Sequence, residues 1–155
     1  MGSRSKNYLA YIAGFLDGDG SLMMQIKKRN DNSKYRFMLT ICMYQDSRHE
    51  KPLVWIKNKL GIGYLSKRND NITELRINGY KQVERILKLL VPFIKFKNIQ
   101  AKIMLKASKI LQKKKLSERD CRKLVDMILI IQSENYVTKK KRNKEELLEF
   151  LGLTP

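Results

Sequence analysis

Two stretches near the N-terminus alternate between hydrophobic and polar residues. The apolar positions are Leu22, Met24 and Ile26 in residues 21–29, and Tyr35, Phe37, Leu39, Ile41 and Met43 in residues 35–44. Because successive side chains of a strand point to opposite faces, each stretch predicts a β-strand with one apolar face. The turn-forming residues 30–33 between them predict an antiparallel hairpin that covers a core.

The same pattern returns in weaker form further along the chain. Residues 52–60 predict a short helix, with a proline at its start and Gly61 at its end. Residues 63–68 and 72–78 then predict two strands joined by an Asn-Asp-Asn turn, with Leu75 and Ile77 facing inward.

The remaining segments have helical periodicity. They are the apolar residues 8–18 before the first strand, and residues 80–91, 99–112, 117–131 and 144–151 after the last one. Ser117 and Asp120 have the spacing of a helix cap. The resulting order is α-β-β-α-β-β-α with extra C-terminal helices, which predicts an α+β fold. We expect one domain over residues 1–155, with a first helix at 7–20, a sheet from 21–45 and 62–78, and helices within 80–151.

The net charge of the chain limits the kinds of molecule that it can be expected to bind. The chain carries 33 Lys and Arg residues against 15 Asp and Glu residues, a net charge of +18. Such an excess repels itself unless an anion neutralises it. The possible explanations are nucleic acid, an anionic membrane surface, or solubility alone. No apolar run is long enough to span a bilayer, and no basic amphipathic helix with bulky apolar anchors is evident, so nucleic acid is favoured. Cys42 and Cys121 are far apart and lack metal-type spacing, which fits a reducing compartment.

The basic residues of the predicted strands lie on the face opposite the apolar one. Lys27, Arg36 and Arg76 belong to this face, and Glu74 is its main acidic exception. A face that only meets water is expected to mix charge signs. A curved antiparallel sheet with a basic face can instead enter a DNA major groove and contact base edges.

A short segment at the end of the first helix resembles a known motif. Residues 12–20 read Ile-Ala-Gly-Phe-Leu-Asp-Gly-Asp-Gly and are followed by Ser21. This segment is similar to the LAGLIDADG motif of homing endonucleases, including both acids and all three glycines. The predicted order of elements, as far as the Pro-Phe-Ile-Lys-Phe-Lys segment at 92–97, also resembles that family. A single motif is typical of its homodimeric, group I intron-encoded branch.

The resemblance implies a function and a set of cofactors. We expect a homodimer that binds a long pseudo-palindromic site in double-stranded DNA through a curved, four-stranded antiparallel sheet. It is expected to hydrolyse one phosphodiester per strand and to leave 3′ overhangs. The implied metal is Mg²⁺ or Mn²⁺, with Ca²⁺ as a substitute that does not support cleavage.

The motif also assigns roles to individual residues. The resemblance implies Asp19 as a catalytic metal ligand, together with the backbone carbonyl of Gly18. Asp17 cannot share the direction of Asp19 on a helix, and we interpret it as a structural hydrogen-bonding group. The small residues at four-residue spacing allow two helices to pack closely across a twofold axis, unless the glycines only end the helix. The predicted dimer interface comprises Ala10, Ala13, Gly14 and Gly18.

Three further catalytic positions follow from the resemblance. Gln45 matches the residue that orients the attacking water, and Lys97 matches the central basic residue. The alternatives are a strand-end hydrogen-bonding group and a surface lysine. His49 stands where relatives often have an arginine in the water pocket, and the neighbouring Arg48 is the alternative for that role.

The resemblance and the alternation agree on a set of DNA-binding residues. They are Gln25, Lys27, Arg29, Arg36, Met38, Thr40, Ser66, Arg68, Glu74 and Arg76. Glu74 can accept a hydrogen bond from cytosine or orient Arg76. Lys139 and Lys140, in the basic loop 139–142, are predicted to bind phosphates, the alternative being a solvated lysine run.

Two other functions compete with DNA cleavage. One is a non-cleaving nucleic-acid binder of the same fold, either a regulator or an RNA maturase, and RNA is expected as a partner only in that case. The other is a basic ribosomal-type protein, which is difficult to reconcile with the motif. No targeting signal is visible, and we expect an intracellular protein, in an organelle (chloroplast or mitochondrion) or a prokaryotic cytoplasm. Abundant Lys, Ile and Asn indicate an A·T-rich genome, which favours an organelle.

Overall fold

The helices and strands follow the predicted order in a computed structural model, which describes residues 4–29, 34–135 and 141–154. The elements are α1 (Arg4–Asp19), β1 (Gly20–Lys28), β2 (Tyr35–Asp46), α2 (Lys51–Leu60), β3 (Tyr64–Lys67), β4 (Ile72–Asn78), α3 (Tyr80–Leu90), α4 (Asn98–Leu111), α5 (Glu118–Glu134) and α6 (Lys144–Phe150). A short 3₁₀ turn, Ser47–His49, follows β2. The predicted α+β fold is therefore confirmed. The turn predicted at residues 30–33 lies outside the described residues.

The four strands form one antiparallel sheet in the order β1-β2-β4-β3. Gly20 pairs with Met43 at one end of the β1–β2 ladder, and Lys28 pairs with Tyr35 at the other. The predicted apolar face is buried from Leu22 in β1 to Ile77 in β4. Helices α1, α3, α4 and α5 pack against strands β1, β2 and β4, so the core lies between the sheet and these helices.

Helix α1 divides its surface between the core and the exterior. Leu9, Ile12, Ala13 and Leu16 are buried, whereas Ala10, Tyr11, Gly14 and Gly18 are exposed. The prediction that Ala13 belongs to a dimer interface is wrong. Ala13 lies four residues after Leu9 and three before Leu16, which places it on the core-facing side of the helix.

The helix ends show which residues start, end and cap the helices. Helix α2 has Pro52 in its first turn and ends at Gly61, whose φ of +68° is in the region that favours glycine. Asp46 caps the 3₁₀ turn that precedes α2. Ser117 and Asp120 form the predicted capping box at the start of α5. None of the described helices is long and apolar enough to cross a membrane.

Candidate active site and nucleic-acid interface

The C-terminal end of α1 carries oxygen atoms that are available to bind a metal ion. Asp19 is the last residue of this helix and is exposed, and its carboxylate has no hydrogen bond or ion pair with any other described residue. The carbonyl of Gly18 is among the last four of the helix, which lack intrahelical partners. A helix C-terminus also carries partial negative charge. Carboxylate and carbonyl oxygens at this end therefore fit a hard divalent cation such as Mg²⁺.

Glycine is required where α1 turns into β1. A Cβ atom added to Gly20 would lie 2.6 Å from Leu16 Cδ1 and 2.8 Å from the Leu16 carbonyl oxygen. The motif's last glycine thus allows the strand to begin directly after Asp19, without an intervening loop. This turn fixes Asp19 at the edge of the sheet.

The other acid of the motif, Asp17, binds a different part of the chain. Its carboxylate accepts hydrogen bonds from the backbone N–H groups of Lys95 (2.7 Å), Phe96 (3.3 Å) and Lys97 (3.0 Å). The Lys97 ammonium donates to the Asp17 carbonyl oxygen at 2.5 Å. These contacts confirm the structural role predicted for Asp17 and place Lys97 at the same helix end as Asp19.

Gln45 approaches this end from the sheet. It lies two residues beyond Met43, the partner of Gly20, and pairs with Thr73 of β4. Its side-chain oxygen accepts a hydrogen bond from the backbone N–H of Asp46 (2.9 Å). The Tyr44 hydroxyl and Ser21 Oγ, 2.8 Å apart, join the start of β1 to the end of β2.

The two candidate basic residues after β2 differ in their contacts. The Arg48 guanidinium binds the Asp46 carboxylate through Nε (3.1 Å) and NH2 (3.0 Å). Hydrogen bonds from Arg48 lower the pKa of Asp46 to about 2. His49 is exposed, and its imidazole has no hydrogen-bond partner among the described residues. The geometry therefore leaves His49 available, whereas Arg48 is held by Asp46.

The outer face of the sheet carries the predicted basic side chains. Gln25, Lys27, Arg29, Arg36 and Arg68 are exposed, and Met38, Ser66 and Arg76 are partly exposed. Lys27 and Arg36 are direct partners across the β1–β2 ladder. Like charges directly opposite each other destabilise a sheet, so this pair favours an anionic ligand. Lys139 and Lys140 lie outside the described residues.

Two predicted DNA-binding side chains are buried. Thr40 is 2% exposed, and its hydroxyl donates to Asn78 Oδ1 at 2.8 Å. Glu74 is 7% exposed and accepts hydrogen bonds from Arg68 (3.2 Å) and Arg76 (3.3 Å). Because both side chains are buried and hydrogen-bonded within the chain, direct base contact by either one is not supported. The alternative role of Glu74, orienting Arg76, agrees with the structure.

The predicted DNA-binding set leaves out three polar groups on the same face. Tyr64 is 48% exposed, and its hydroxyl accepts a hydrogen bond from Asn78 Nδ2 (3.0 Å). Tyr44 lies beside Cys42, and burial raises the pKa of the Tyr44 hydroxyl to about 12 and that of the Cys42 thiol to about 11. Alternation along the strands was the available signal, because it assigns Tyr44, Tyr64 and Asn78 to the outer face.

The sequence model of the LAGLIDADG endonuclease family matches residues 12–104, from the motif in α1 into α4. The chain belongs to the LAGLIDADG endonuclease family. It is 31% identical over 150 residues to the DNA endonuclease I-CvuI of Chlorella vulgaris, covering 92% of this chain and 91% of that protein. It is also 33% identical over 103 residues to the DNA endonuclease I-CreI of Chlamydomonas reinhardtii, covering 66% of this chain and 63% of that one.

Solved structures of LAGLIDADG endonucleases share the fold. I-CvuI bound to the I-CreI target with 2 mM Mg, in a complex whose DNA is not cleaved, superposes with a TM-score of 0.82 at 28% identity. That comparison covers 96% of this chain and 94% of the I-CvuI chain. I-CvuI bound to its own target with 2 mM Ca gives a TM-score of 0.82 at 26% identity, covering 97% and 98% of the two chains. The predicted family, fold and relationship to homing endonucleases are confirmed.

Proposed function

We propose that this protein is a homodimeric, divalent-metal-dependent homing endonuclease that cuts both strands of a long pseudo-palindromic DNA site and leaves 3′ overhangs. The observation that carries the proposal is the open Asp19 carboxylate at the end of a helix whose exposed side is lined by small residues. Two copies that pack through this side bring their Asp19 carboxylates together. The DNA bound by I-CvuI supports the choice of substrate.

The exposed glycines of α1 support the dimer. A Cβ atom added to Gly14 or Gly18 would meet nothing within 4 Å in this chain. Glycine inside a helix costs about 1 kcal/mol relative to alanine, and nothing within the chain requires it here. A second copy of the helix, packed backbone to backbone across a twofold axis, accounts for both positions. Tyr11 and Trp55 lie on the same surface, 55% and 38% exposed, with ring centroids 5.6 Å apart.

Each residue at the end of α1 has a separate role in the proposed cleavage reaction. Asp19 and the Gly18 carbonyl would hold Mg²⁺ or Mn²⁺, with Ca²⁺ as the substitute that does not support cleavage. Such an ion lowers the pKa of a bound water and stabilises charge on the leaving oxygen. Gln45 orients the attacking water, and the Lys97 ammonium stabilises charge on the phosphate. His49, whose imidazole has no partner among the described residues, fills the basic position of the water pocket, and Arg48, which is ion-paired to Asp46 at the surface, is the alternative.

The test begins with the DNA that the wild-type protein cleaves. Incubation with a randomised duplex library and Mg²⁺, followed by sequencing of the cut ends, yields the target and the overhang. Asp19→Asn should then bind this duplex in Ca²⁺ but fail to cut it in Mg²⁺. Asp126→Asn is the matched control, because Asp126 forms a surface ion pair with Lys144 (3.0 Å) and should leave cleavage unchanged.

Two results would contradict the proposal. Cleavage by Asp19→Asn at the wild-type rate would show that Asp19 does not hold the catalytic metal. Tight binding of structured intron RNA, with neither cleavage nor selective binding of any duplex, would indicate a maturase instead.

A further inference from the structure

The turn at residues 95–97 is built around the Asp17 carboxylate. Three consecutive backbone N–H groups converge on its two oxygens, from Lys95 and Phe96 to Oδ2 and from Lys97 to Oδ1. Consecutive N–H groups of this kind form a concavity that binds anions. Here the anion is a carboxylate of the same chain, contributed by α1 about eighty residues earlier in the sequence.

This turn has little else to fix its middle residues. Ile94, just before the turn, is buried, and the carbonyl of Lys97, the last residue of the turn, accepts the first backbone hydrogen bond of α4 from Ala101. Phe96, between them, is 85% exposed. The burial of Ile94 and the α4 backbone hydrogen bond at Lys97 therefore hold the two ends of the turn, whereas the hydrogen bonds to Asp17 hold its centre.

The same contacts determine where the Lys97 ammonium lies. Lys97 is half-buried, and its Nζ donates to the Asp17 carbonyl oxygen in the last turn of α1. A cation at a helix C-terminus is stabilised by the helix dipole. By contrast, Lys95 is exposed and has no side-chain partner among the described residues.

We infer that Asp17 is a positioning residue for the cleavage reaction, which holds the 95–97 turn so that the Lys97 ammonium lies beside Asp19 and Gly18. The inference rests on the function proposed above for Asp19 and Lys97. It assigns different tasks to the two acids of the motif. Asp17 binds backbone N–H groups inside the chain, and Asp19 stays open for the metal.

The first test is a comparison of Asp17→Asn with Asp17→Ala. An asparagine keeps one acceptor oxygen, but its NH₂ group faces a backbone N–H and cannot accept. Hydrogen exchange at the amides of residues 95–97 should therefore accelerate in both variants, and more in Asp17→Ala. Single-turnover cleavage of the selected duplex in Mg²⁺ should fall about 10- to 100-fold, since a displacement of about 1 Å can cost a factor of about 100. Affinity for the duplex in Ca²⁺ should remain that of the wild type.

A double-mutant cycle separates positioning from general destabilisation. If Asp17 acts through Lys97, adding Asp17→Asn to Lys97→Met should lower the cleavage rate little further. The same loss in both backgrounds, or an equal loss of DNA binding, would overturn the inference. So would unchanged amide exchange at residues 95–97, which is measured without DNA. If instead the wild-type protein cuts no duplex, or Asp19→Asn still cuts, it is the proposed function that fails.

Discussion

Glu74 places a buried carboxylate among the cations of the outer sheet face. Its two oxygens bind different arginines, Arg68 through Oε1 and Arg76 through Oε2. Arg68 also binds Asp70 at 2.8 Å, and Nε of Arg76 is buried without a partner among the described residues. A buried carboxylate that binds two guanidinium groups restricts the directions in which both can reach outward. We therefore expect Glu74 to influence sequence preference through the arginines that it orients.

Replacing this carboxylate should broaden the DNA preference. In Glu74→Gln the charge is lost, and the two arginines gain freedom to approach phosphates instead of base edges. A good bidentate base contact is worth about 1–3 kcal/mol of discrimination, so preference for the target should weaken by roughly this amount where the arginines contact it. Cleavage-site sequencing from the randomised library measures the effect.

Asp70→Asn is the control for this prediction. It removes an exposed partner of Arg68 but leaves the contact of Glu74 with Arg76. Exposed ion pairs contribute about 0–1 kcal/mol, so the selected sequences should change little. An unchanged sequence profile in Glu74→Gln would show that Glu74 does not set the preference.

At the scale of elements, helix α1 combines a core-forming side with an outward side of small residues. Periodicity predicted the helix, and the motif predicted its function, but neither distinguished Ala13 from Ala10. The distinction depends on where the helix packs, because Ala13 contacts the core under the sheet and Ala10 is exposed. For the same reason, alternation placed Thr40 and Glu74 on the outer face but could not predict that neighbouring side chains bury them. Local patterns fix the direction of a side chain, whereas burial depends on neighbours distant in sequence.

The outward side of α1 supports a test of the dimer. Gly14→Leu should fold as a monomer, since the added side chain begins in open space within the chain. In a close helix–helix interface the same side chain should cost about 1–3 kcal/mol, which corresponds to a dimer dissociation constant roughly 5- to 150-fold higher. Sedimentation equilibrium measures this constant, and cleavage should decline with the dimer.

A leucine at an exposed position on another helix provides the comparison. Lys106→Leu on α4 adds a similar side chain far from α1 in sequence, on the exposed side of the helix layer. It should leave the association unchanged. If Gly14→Leu dimerises as tightly as the wild type, the interface lies elsewhere on the molecule.

At the scale of the whole molecule, the basic residues are divided between the outer face of the sheet and the helices that cover its inner face. Residues 80–135, which form α3, α4 and α5, contain 14 Lys and Arg residues and 5 Asp and Glu residues, half of the +18. These helices cover the inner face of the sheet, so their exposed lysines, including Lys102, Lys106 and Lys109, point away from the outer face. Composition predicted an anionic partner, but only the fold shows which cations can contact it. A homodimer carries +36 in total, of which the outer sheet faces hold a part.

The salt dependence of DNA binding should therefore respond to cations of the outer face and hardly at all to those exposed on α3, α4 and α5. Each phosphate contact contributes about −0.9 to the slope of log K against log salt concentration. Lys27→Gln removes a cation from each copy, so the slope of the dimer should become shallower by up to about 1.8. Lys106→Gln makes the same change in charge on α4 and should lower the affinity slightly with almost no change in slope. Fluorescence anisotropy with the selected duplex in Ca²⁺, over a series of salt concentrations, measures both.

Lys27→Gln should stabilise the free protein, although it weakens DNA binding. Lys27 stands directly across the ladder from Arg36, and removing one member of such a pair should stabilise the fold by about 0.2–1 kcal/mol. A higher urea midpoint together with weaker, less salt-dependent binding would show that the pair is kept for an anion at a cost in stability. Equal slopes for Lys27→Gln and Lys106→Gln would mean instead that the DNA does not lie along this face. The repulsion between Lys27 and Arg36 would then have no ligand to relieve it, and its relief by Lys27→Gln would be the only measurable effect of the substitution.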